Sequence, residues 1–325
     1  MSDYRICFSK TGGPEVLTVE PVSPAPPGEG EVLVRHDAIG LNFIDTYHRS
    51  GLYPVELPSG LGTEGAGVIE AVGPGVTAFQ PGDRIAYGGG PIGSYATARL
   101  FPAARLVHLP NHIASDTAAA AMLKGMTAEF LIERCANVRA GQTVLVHAAA
   151  GGVGAILVQW LTSIGANVLA HAGNDAKAAA VRAMGVTNVS SAPLETLAAW
   201  VREQTAGRGA DVVFDGVGAD SWQASLASVA KRGLIVSYGN ASGPVPPFSA
   251  LDLLRAGSVF VTRPTLFDYC GTTGELRASA ARLFEMTGSG AVRIAIGQRF
   301  PLRDVAQAHR ALEGRETTGS TVLLP

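Results

Sequence analysis

A glycine-rich segment is the part of the sequence whose residue types and spacing point most directly to chemistry. Residues 149–154 (AAGGVG) follow the apolar run 144–146 and precede a helical stretch. They fit the pattern Gly-x-Gly-x-x-Gly with alanine in the first place, and small residues there let a pyrophosphate approach the backbone at a helix N-terminus. Because strands and helices alternate around it, the segment predicts a dinucleotide site. Its expected binding residues are Gly151, Gly152, Val153 and Gly154.

The residues after the next strand indicate which dinucleotide binds. An NAD site usually has Asp or Glu about 20 residues further on, where it holds the ribose 2′-hydroxyl. Residues 171–174 (HAGN) provide no carboxylate there, and Asp175 is interpreted as a helix N-cap. Lys177 follows in the first turn of the next helix, where it can meet a 2′-phosphate, although a solvated surface lysine is the alternative. The pattern favours NADPH, with Gly173, Asn174 and Lys177 as contacts.

Composition excludes several classes of protein. The chain has 325 residues, 47% of them apolar and 16% charged, which is enough apolar material for two cores and excludes a disordered chain. A net charge of −2 argues against a nucleic-acid partner. Three distant cysteines form no disulfide framework, and the sequence starts with no apolar leader, so a cytoplasmic enzyme is expected. The almost uncharged run 143–161 is interpreted as strand, turn and helix, not as a membrane span.

Two patterns of secondary structure, one after the other along the chain, must position the candidate binding residues. The first ~120 residues predict short strands between Gly and Pro turns, for example 31–39, 65–73 and 83–87, in a barrel-like fold. From about residue 115 onward, strands alternate with helices, which is typical of a doubly wound parallel sheet in an α/β protein. The predicted strands are 143–147, 167–171, 186–190, 211–215, 233–238 and 258–262, and the predicted helices are 154–164, 176–184 and 194–204.

The last sixty residues return to a mixed pattern. A helix at 274–286, a strand at 295–300 and a helix at 302–312 precede the final strand 320–324. The pattern alone leaves open to which domain that final strand belongs.

Strings of residues along nearly the whole chain resemble one family. These strings are 12–17 (GGPEVL), 40–47 (GLNFIDTY), 50–54 (SGLYP), 60–64 (GLGTE), 123–128 (LKGMTA), 147–154 (HAAAGGVG), 237–243 (SYGNASG) and 262–266 (TRPTL). The sequence is similar to the zeta-crystallin-like quinone oxidoreductases of the medium-chain dehydrogenase/reductase superfamily. The resemblance implies a GroES-like catalytic domain of residues 1–124 plus 265–325, with a Rossmann domain at 125–264 inserted. It also assigns the strand 320–324 to the catalytic domain.

The resemblance implies a cofactor and its contacts. NADPH would lie in the cleft between the two domains, together with a quinone. Besides the glycine segment and the residues at 173–177, the implied contacts are Asn42, Phe43, Ile44, Asp45, Thr46, Tyr47, Tyr238, Gly239, Asn240, Ala241, Pro264, Thr265, Leu266 and Arg315. One departure is that relatives often have a tyrosine near the adenosine phosphate, where this chain has residues 190–192 (SSA).

The resemblance also predicts chemistry without a metal. Zinc-dependent alcohol dehydrogenases of the superfamily bind zinc through a cysteine, the histidine of a Gly-His-Glu string and a second cysteine. The corresponding regions here are 42–45 (NFID), 62–64 (GTE) and 123–125 (LKG), which contain none of these ligands. A quinone is electron-poor and needs little polarisation, so placing it against the nicotinamide and excluding water would suffice.

Three residues are the predicted catalytic group. Tyr47 and Tyr53 would stack on the quinone ring or donate a hydrogen bond to its carbonyl, and Asn42 would orient the nicotinamide or its ribose. Lys124 and Thr127 on the following helix would contact cofactor or substrate. Packing of the two tyrosines in the barrel and solvation of the lysine are the alternatives.

Two other functions and an assembly are compatible with the same residues. The acceptor could be an α,β-unsaturated ketone or aldehyde, or the protein could be a non-catalytic, crystallin-like NADPH-binding protein. Residues 258–262 (SVFVT) would form an apolar edge strand, and pairing this strand with its copy predicts a homodimer with a twelve-stranded sheet.

Overall fold

The computed structural model describes residues 2–325, whose contacts form two compact units. The first unit comprises the chain up to Met126, Cys270–Phe284 and Ile294–Pro325, and the second comprises Thr127–Tyr269 and Glu285–Arg293. The domain limits expected from the sequence, 1–124 with 265–325 around 125–264, stay a prediction. The two contact units differ from these limits at residues 125–126, 265–269 and 285–293.

The described part of the chain contains the following regular elements. The strands are β1 Tyr4–Phe8, β2 Thr18–Pro21, β3 Glu31–Leu41, β4 Ser59–Gly60, β5 Glu64–Val72, β6 Arg84–Gly88, β7 Ala98–Pro102, β8 Val107–His108, β9 Thr143–Val146, β10 Asn167–His171, β11 Asn188–Ser190, β12 Ala210–Asp215, β13 Val229–Ser237, β14 Phe260–Thr262, β15 Ile296–Pro301 and β16 Ser320–Leu324. The α-helices are α1 Phe43–Ser50, α2 Ser115–Glu129, α3 Gly152–Ser163, α4 Asp175–Ala183, α5 Leu194–Gln204, α6 Trp222–Ser228, α7 Ala250–Arg255, α8 Leu266–Tyr269, α9 Thr273–Gly288 and α10 Val305–Glu313. A π-helical turn, Phe130–Cys135, follows α2.

The first unit is built on β-sheet. Its larger sheet has the order β15-β16-β3-β5-β6-β8, with β7 also paired to β3, and its smaller sheet has the order β2-β1-β4. Strand β3 is eleven residues long and pairs with three neighbours, β5, β7 and β16. Its buried positions alternate with more exposed ones over most of its length. One core cluster, which includes Ile6, Ile39 and Leu323, draws residues from β1, β3 and β16.

The final strand belongs to this first unit. β16 pairs antiparallel with β3, so that Thr321 lies opposite Leu41, and it pairs in parallel with β15. Both chain ends therefore contribute strands to the first unit.

The second unit is a six-stranded parallel sheet in the order β11-β10-β9-β12-β13-β14. In chain order this is 3-2-1-4-5-6, the Rossmann arrangement, which confirms the predicted fold class. The strands β9 and β12 are almost completely buried, as expected for a sheet covered on both faces. The strand order reverses at β9, and in such sheets ligands bind beyond the carboxyl ends of the strands at that point.

Most element limits agree with the sequence prediction to within a few residues, and α5 matches it at both ends. The largest differences are at the start of β13, which begins at Val229, and in the last helix, which opens with a 3-10 turn, Leu302–Asp304. No helix among residues 2–325 is both long and apolar enough to cross a membrane.

Candidate active site

Helix α1 begins at the string that the resemblance places near the nicotinamide. Asn42 is its N-cap in extended backbone conformation, and the Asn42 amide N–H donates to Asp45 Oδ2 at 2.9 Å. This bond satisfies one of the donors that the start of a helix would otherwise leave unpaired. The side-chain amide of Asn42 in addition reaches Glu64, the first residue of β5.

Asn42 joins a buried cluster with Glu64 and Lys124. Asn42 Nδ2 donates to Glu64 Oε2 at 2.8 Å, and Lys124 Nζ donates to the same oxygen at 2.9 Å. The amide N–H of Leu123 donates to Glu64 Oε1 at 2.7 Å. The side chains of Glu64 and Lys124 are 0% and 6% exposed, so this ion pair is shielded from water.

A glycine makes room for this cluster. A Cβ on Gly40 would lie 2.1 Å from Glu64 Oε2 and 2.2 Å from the carbonyl oxygen of Ala119. No larger residue fits at this point of β3, because the carboxylate and the backbone of α2 already occupy the space. In the sequence Glu64 stands out only as a member of the strings 60–64 and 62–64, and its role as the shared acceptor was not predicted.

Asp45 lies at the end of a second buried network. Tyr95 Oη donates to Asp45 Oδ2 at 2.8 Å, whereas Asp45 Oδ1 is buried without a hydrogen-bond partner. Burial raises the pKa of Asp45 from 3.8 to about 7, against the hydrogen bonds from Tyr95 and Asn42 and the charge of Lys124, which lower it. This carboxyl therefore titrates near neutral pH.

The same network continues to helix α10 and has a definite direction. Arg49 Nη1 lies 2.9 Å from His309 Nδ1 and must donate to it, so the proton of the neutral imidazole is on Nε2. His309 Nε2 lies 3.2 Å from Tyr95 Oη, which in turn donates to Asp45. Burial and the charge of Arg49 lower the pKa of His309 to about 3, which keeps the ring neutral. The sequence offered no signal for this long-range pairing.

The two predicted catalytic tyrosines contact each other. The rings of Tyr47 and Tyr53 are 5.2 Å apart with an edge-on geometry, and Phe43 and His48 pack at 6.4 and 6.1 Å from Tyr47 and Tyr53, respectively. Tyr47 is 8% exposed. This aromatic group lies on α1 and the turn after it, so the same helix bears Asn42 at its start and the tyrosines beyond. Their catalytic role stays a prediction.

In the second unit, the glycine segment forms the turn from β9 to α3. Gly151 is the N-cap and α3 begins at Gly152, so the first amide groups of the helix are available to an anion. A Cβ on Gly154 would lie 2.3 Å from the carbonyl oxygen of Ala148, whereas one on Gly151 would be 3.2 Å from it. Gly154 therefore permits close packing of the helix on the turn, and the segment fits a pyrophosphate.

A buried polar network lies beside this turn, and it was not predicted from the sequence. Asp215, at the end of β12, accepts hydrogen bonds from Ser221 Oγ at 2.7 Å and from Ser225 Oγ at 2.6 Å. Ser225 Oγ lies 3.0 Å from His147 Nε2, and burial lowers the pKa of His147 to about 4. Asp215 also accepts from the amide groups of Val217 and Gly218. The network therefore fixes the loops that follow β9 and β12.

The residues expected around the 2′-phosphate begin helix α4. The N-cap is Asn174, whose side chain accepts from the Lys177 amide at 2.9 Å, so the prediction of Asp175 as N-cap is wrong. Asp175 is instead the first helical residue, and its carboxylate accepts from Ser191 Oγ. Asn174 caps better because its oxygen reaches the third helical amide. Gly173 is exposed, and a Cβ there would meet nothing within 4 Å, which leaves room for a phosphate.

The remaining predicted contacts of the second unit follow its other strands. Residues 238–241 come directly after β13, where the Tyr238 amide donates to the carbonyl oxygen of Asp215, and residues 264–266 come after β14. The structure thus brings the predicted contacts of this unit, Thr127 excepted, to the carboxyl ends of its parallel strands. Thr127 is half-buried in α2, and Arg315 of the first unit is exposed after α10 with φ of +59°. Their roles in cofactor binding stay predictions.

Among residues 2–325, no three His, Cys, Asp or Glu side chains are grouped as metal ligands. Asn42, Thr63 and Lys124, which stand in the regions where zinc-dependent relatives have their ligands, supply an amide, a hydroxyl and an ammonium. These three groups are not among the thiolate, imidazole and carboxylate donors that zinc prefers, and chemistry without zinc stays a prediction.

A Rossmann sheet with a glycine turn at its switch point, accompanied by a β-sheet unit built from both chain ends, defines a nicotinamide-dependent oxidoreductase. Two family models match the chain: "Alcohol dehydrogenase GroES-like domain" over residues 28–111 and "Zinc-binding dehydrogenase" over residues 152–285. The chain is 50% identical to a quinone oxidoreductase of Pseudomonas aeruginosa over 99% of each chain. It belongs to the quinone oxidoreductase family of the medium-chain dehydrogenase/reductase superfamily, and it is an enzyme.

Two further relatives bear on the chemistry. The Escherichia coli quinone oxidoreductase, whose structure was solved in complex with NADPH, superposes with a TM-score of 0.97 at 42% identity and covers 99% of this chain and 100% of its own. A 2-haloacrylate reductase from a Burkholderia species is 41% identical over 97% of each chain.

Proposed function

We propose that this protein is an NADPH-dependent quinone reductase that works without zinc. The observation that carries the proposal is the buried cluster of Asn42, Glu64 and Lys124, which sets an ammonium and an amide beside the predicted nicotinamide contacts. Full-length similarity to quinone oxidoreductases supports the choice of acceptor. The cytoplasmic location and the homodimer stay predictions.

The residues of the second unit fit NADPH. The amide groups of Gly152 and Val153 at the start of α3 hold the pyrophosphate, and the open space at Gly173 with the half-buried Lys177 receives the 2′-phosphate. When bound, NADPH supplies a hydride from its nicotinamide ring. Residues 238–241 and 264–266, on loops after the next two strands, contact the rest of the cofactor.

The residues of the first unit orient the reactants. Asn42 is held by both its backbone and its side chain, so its amide group presents a fixed geometry to the nicotinamide. The mutually packed rings of Tyr47 and Tyr53 offer an aromatic surface to a quinone and exclude water from it. A quinone is already electron-poor, so this placement is sufficient for reduction without a zinc ion.

A second candidate function is reduction of an α,β-unsaturated carbonyl compound. The similarity to a 2-haloacrylate reductase over 97% of the chain favours it, since that relative is named for an acceptor with a conjugated double bond. The same aromatic surface would hold a planar enone, and the hydride would go to its β-carbon.

A panel of acceptors separates these functions. The purified protein is mixed with NADPH or NADH and with ortho-quinones, para-quinones or enones, and the loss of reduced-nicotinamide absorbance is followed. We expect kcat/KM to be highest for NADPH with a quinone. Turnover of enones alone would replace the proposal by the second candidate, and binding of NADPH without turnover would indicate a crystallin-like binding protein.

Replacing Lys177 by Ala tests the choice of dinucleotide. Loss of its ammonium removes a partner of the 2′-phosphate, so KM for NADPH should rise about tenfold while KM for NADH stays within twofold, in line with one charged hydrogen bond. Lys231→Ala, at an exposed lysine on β13, is the matched control. An equal rise for both dinucleotides would remove the assignment of Lys177 to the phosphate.

A further inference from the structure

The Lys124 ammonium has more donor protons than hydrogen-bond partners among residues 2–325. An ammonium carries three donor protons. Glu64 Oε2, at 2.9 Å, is the one acceptor found for Lys124 among residues 2–325. Because Lys124 is only 5% exposed, bulk water does not freely solvate the remaining donors. They are therefore available to a ligand.

The partner of this ammonium already accepts three hydrogen bonds. Glu64 accepts from the side chains of Asn42 and Lys124 and from the backbone amide of Leu123, and it packs directly against the backbone of Gly40. Burying two charges costs several kcal/mol per ion before their attraction is counted. These hydrogen bonds hold Lys124 in position beside Asn42, the N-cap of α1.

We propose that the Lys124 ammonium donates a hydrogen bond to the carbonyl oxygen of the acceptor and stabilises the negative charge that this oxygen gains during reduction. The inference rests on the proposed function and names the group that polarises the substrate. A cation that is already fixed in a site with little water stabilises the developing negative charge, and no groups have to reorient as the charge forms. Glu64 is the positioning residue, since it holds the ammonium in place.

The reaction balances with Lys124 protonated throughout. NADPH gives up a hydride, which is one proton with two electrons, and the acceptor becomes an anion whose charge lies on a carbonyl oxygen. A proton from water then neutralises that oxygen, so NADPH, quinone and one proton become NADP⁺ and hydroquinone. Lys124 stabilises the anion as a hydrogen-bond donor, and water supplies the proton that is transferred.

Kinetics with Lys124→Met test the proposal. Methionine has an unbranched side chain of similar length to lysine but carries no charge and donates no hydrogen bond. For a weakly electron-poor acceptor, such as an alkyl-substituted quinone or an enone, kcat should fall about 10²–10³-fold, as when one oxyanion donor is lost. For a strongly electron-poor quinone the fall should be about tenfold or less, because less stabilisation is needed. KM for NADPH should stay within twofold.

A binding measurement tests the same point without turnover. The probe is 4-nitrophenol, whose phenolate resembles the reduced acceptor and has its own visible absorbance. In the presence of NADP⁺, wild-type protein should lower the pH at which the bound phenol ionises by about one unit or more, whereas Lys124→Met should not. Lys124→Arg, which keeps the charge, should retain most of the shift. Lys10→Met, at an exposed lysine of the same unit, is the control.

Removing Lys124 leaves Glu64 as an unpaired buried carboxylate, so the double variant Lys124→Met/Glu64→Gln is made in parallel to preserve folding. It should show the same dependence on acceptor and the same lost phenol shift. An equal fall for all acceptors with a raised KM for NADPH would assign Lys124 to the cofactor and overturn the proposal, as would an unshifted phenol on wild-type protein. If wild type reduces no acceptor, the proposed function fails, and the phenol titration still decides the role of Lys124.

Discussion

Asp45 was predicted from the sequence as a cofactor contact, and in the structure it also links buried side chains of the first unit. In the string 42–47 it is one contact among several, but in the folded unit it joins the start of α1 to Tyr95 and, through His309, to α10. Its buried Oδ1 has no hydrogen-bond partner, and burial raises its pKa to about 7. The carboxyl is thus a cost to the folded state whenever it is ionised.

The sign of this cost predicts a dependence of stability on pH. Between pH 4 and pH 7 the folded protein holds a proton on Asp45 that the unfolded chain has lost, so its contribution to the free energy of unfolding falls as pH rises through that window. Asp45→Asn removes the titration. The free energy of unfolding of wild type minus that of Asp45→Asn should therefore decrease from pH 5 to pH 8, as measured by urea unfolding.

Tyr95→Phe supplies the matched control for this measurement. It keeps the carboxyl but removes a hydrogen bond that lowers the pKa of Asp45, so the decrease should persist and extend to higher pH. A difference between wild type and Asp45→Asn that does not change with pH would contradict the assignment.

At the scale of elements, the turn from β9 to α3 shows how two glycines of one segment differ in what they do. Ala148, just before them, has a left-handed φ of 49°, so the chain turns sharply as it leaves the strand. Gly154 then sits against the backbone of Ala148 and Ala149, whereas Gly151 has φ of −78° and more space. Gly151 and Gly154 both belong to the glycine pattern, but only Gly154 is required by close packing against the backbone.

The two glycines therefore predict different effects of adding one methyl group. Gly154→Ala would place Cβ 2.3 Å from a backbone oxygen and should lower the free energy of unfolding. The expected loss is about 1–3 kcal/mol, the usual cost of overpacking. Gly151→Ala meets its nearest atom at 3.2 Å and should cost less than about 1 kcal/mol. Urea unfolding of both variants is the measurement, and equal losses would contradict the difference in packing.

At the scale of the whole molecule, the second unit has an open sheet edge. β14 pairs with β13 on one side, and Phe260 on it is 64% exposed. Helix α7, just before this strand, exposes Leu251 and Leu254 at 55% and 62%. An apolar edge of this kind is a liability unless another chain covers it.

A second copy of the chain is the partner that we expect at this edge. Pairing β14 with its copy across a two-fold axis would join two six-stranded sheets into one. Leu254→Glu should then convert a dimer to a monomer at micromolar concentration, as measured by light scattering, because it puts a charge into an apolar interface. Val19→Glu, at a residue 42% exposed in the first unit, is the control. A monomeric wild-type protein, or a Leu254→Glu variant that stays dimeric, would contradict the prediction.

The sequence by itself determined the fold class, most element limits and the glycine turn at residues 151–154. These features are local, because alternating apolar runs, helix caps and small residues predict structure from a short stretch of sequence. Even there, Asn174 replaced Asp175 as the cap of α4, since neighbouring residues with similar capping ability are separated only by the geometry of the turn.

Only the tertiary structure decided the polar partners of the site. Lys124 and Glu64 are 60 residues apart in the chain, Tyr95 and Asp45 are 50 apart, and His309 lies 214 residues from Tyr95. Spacing within one sequence does not reveal such pairs, because a hydrogen bond depends on a few tenths of an ångström between side chains from separate strands and helices. Glu64 orients the predicted residues Asn42 and Lys124, and Tyr95 links the predicted residue Asp45 to His309. Only the folded chain brings these partners together.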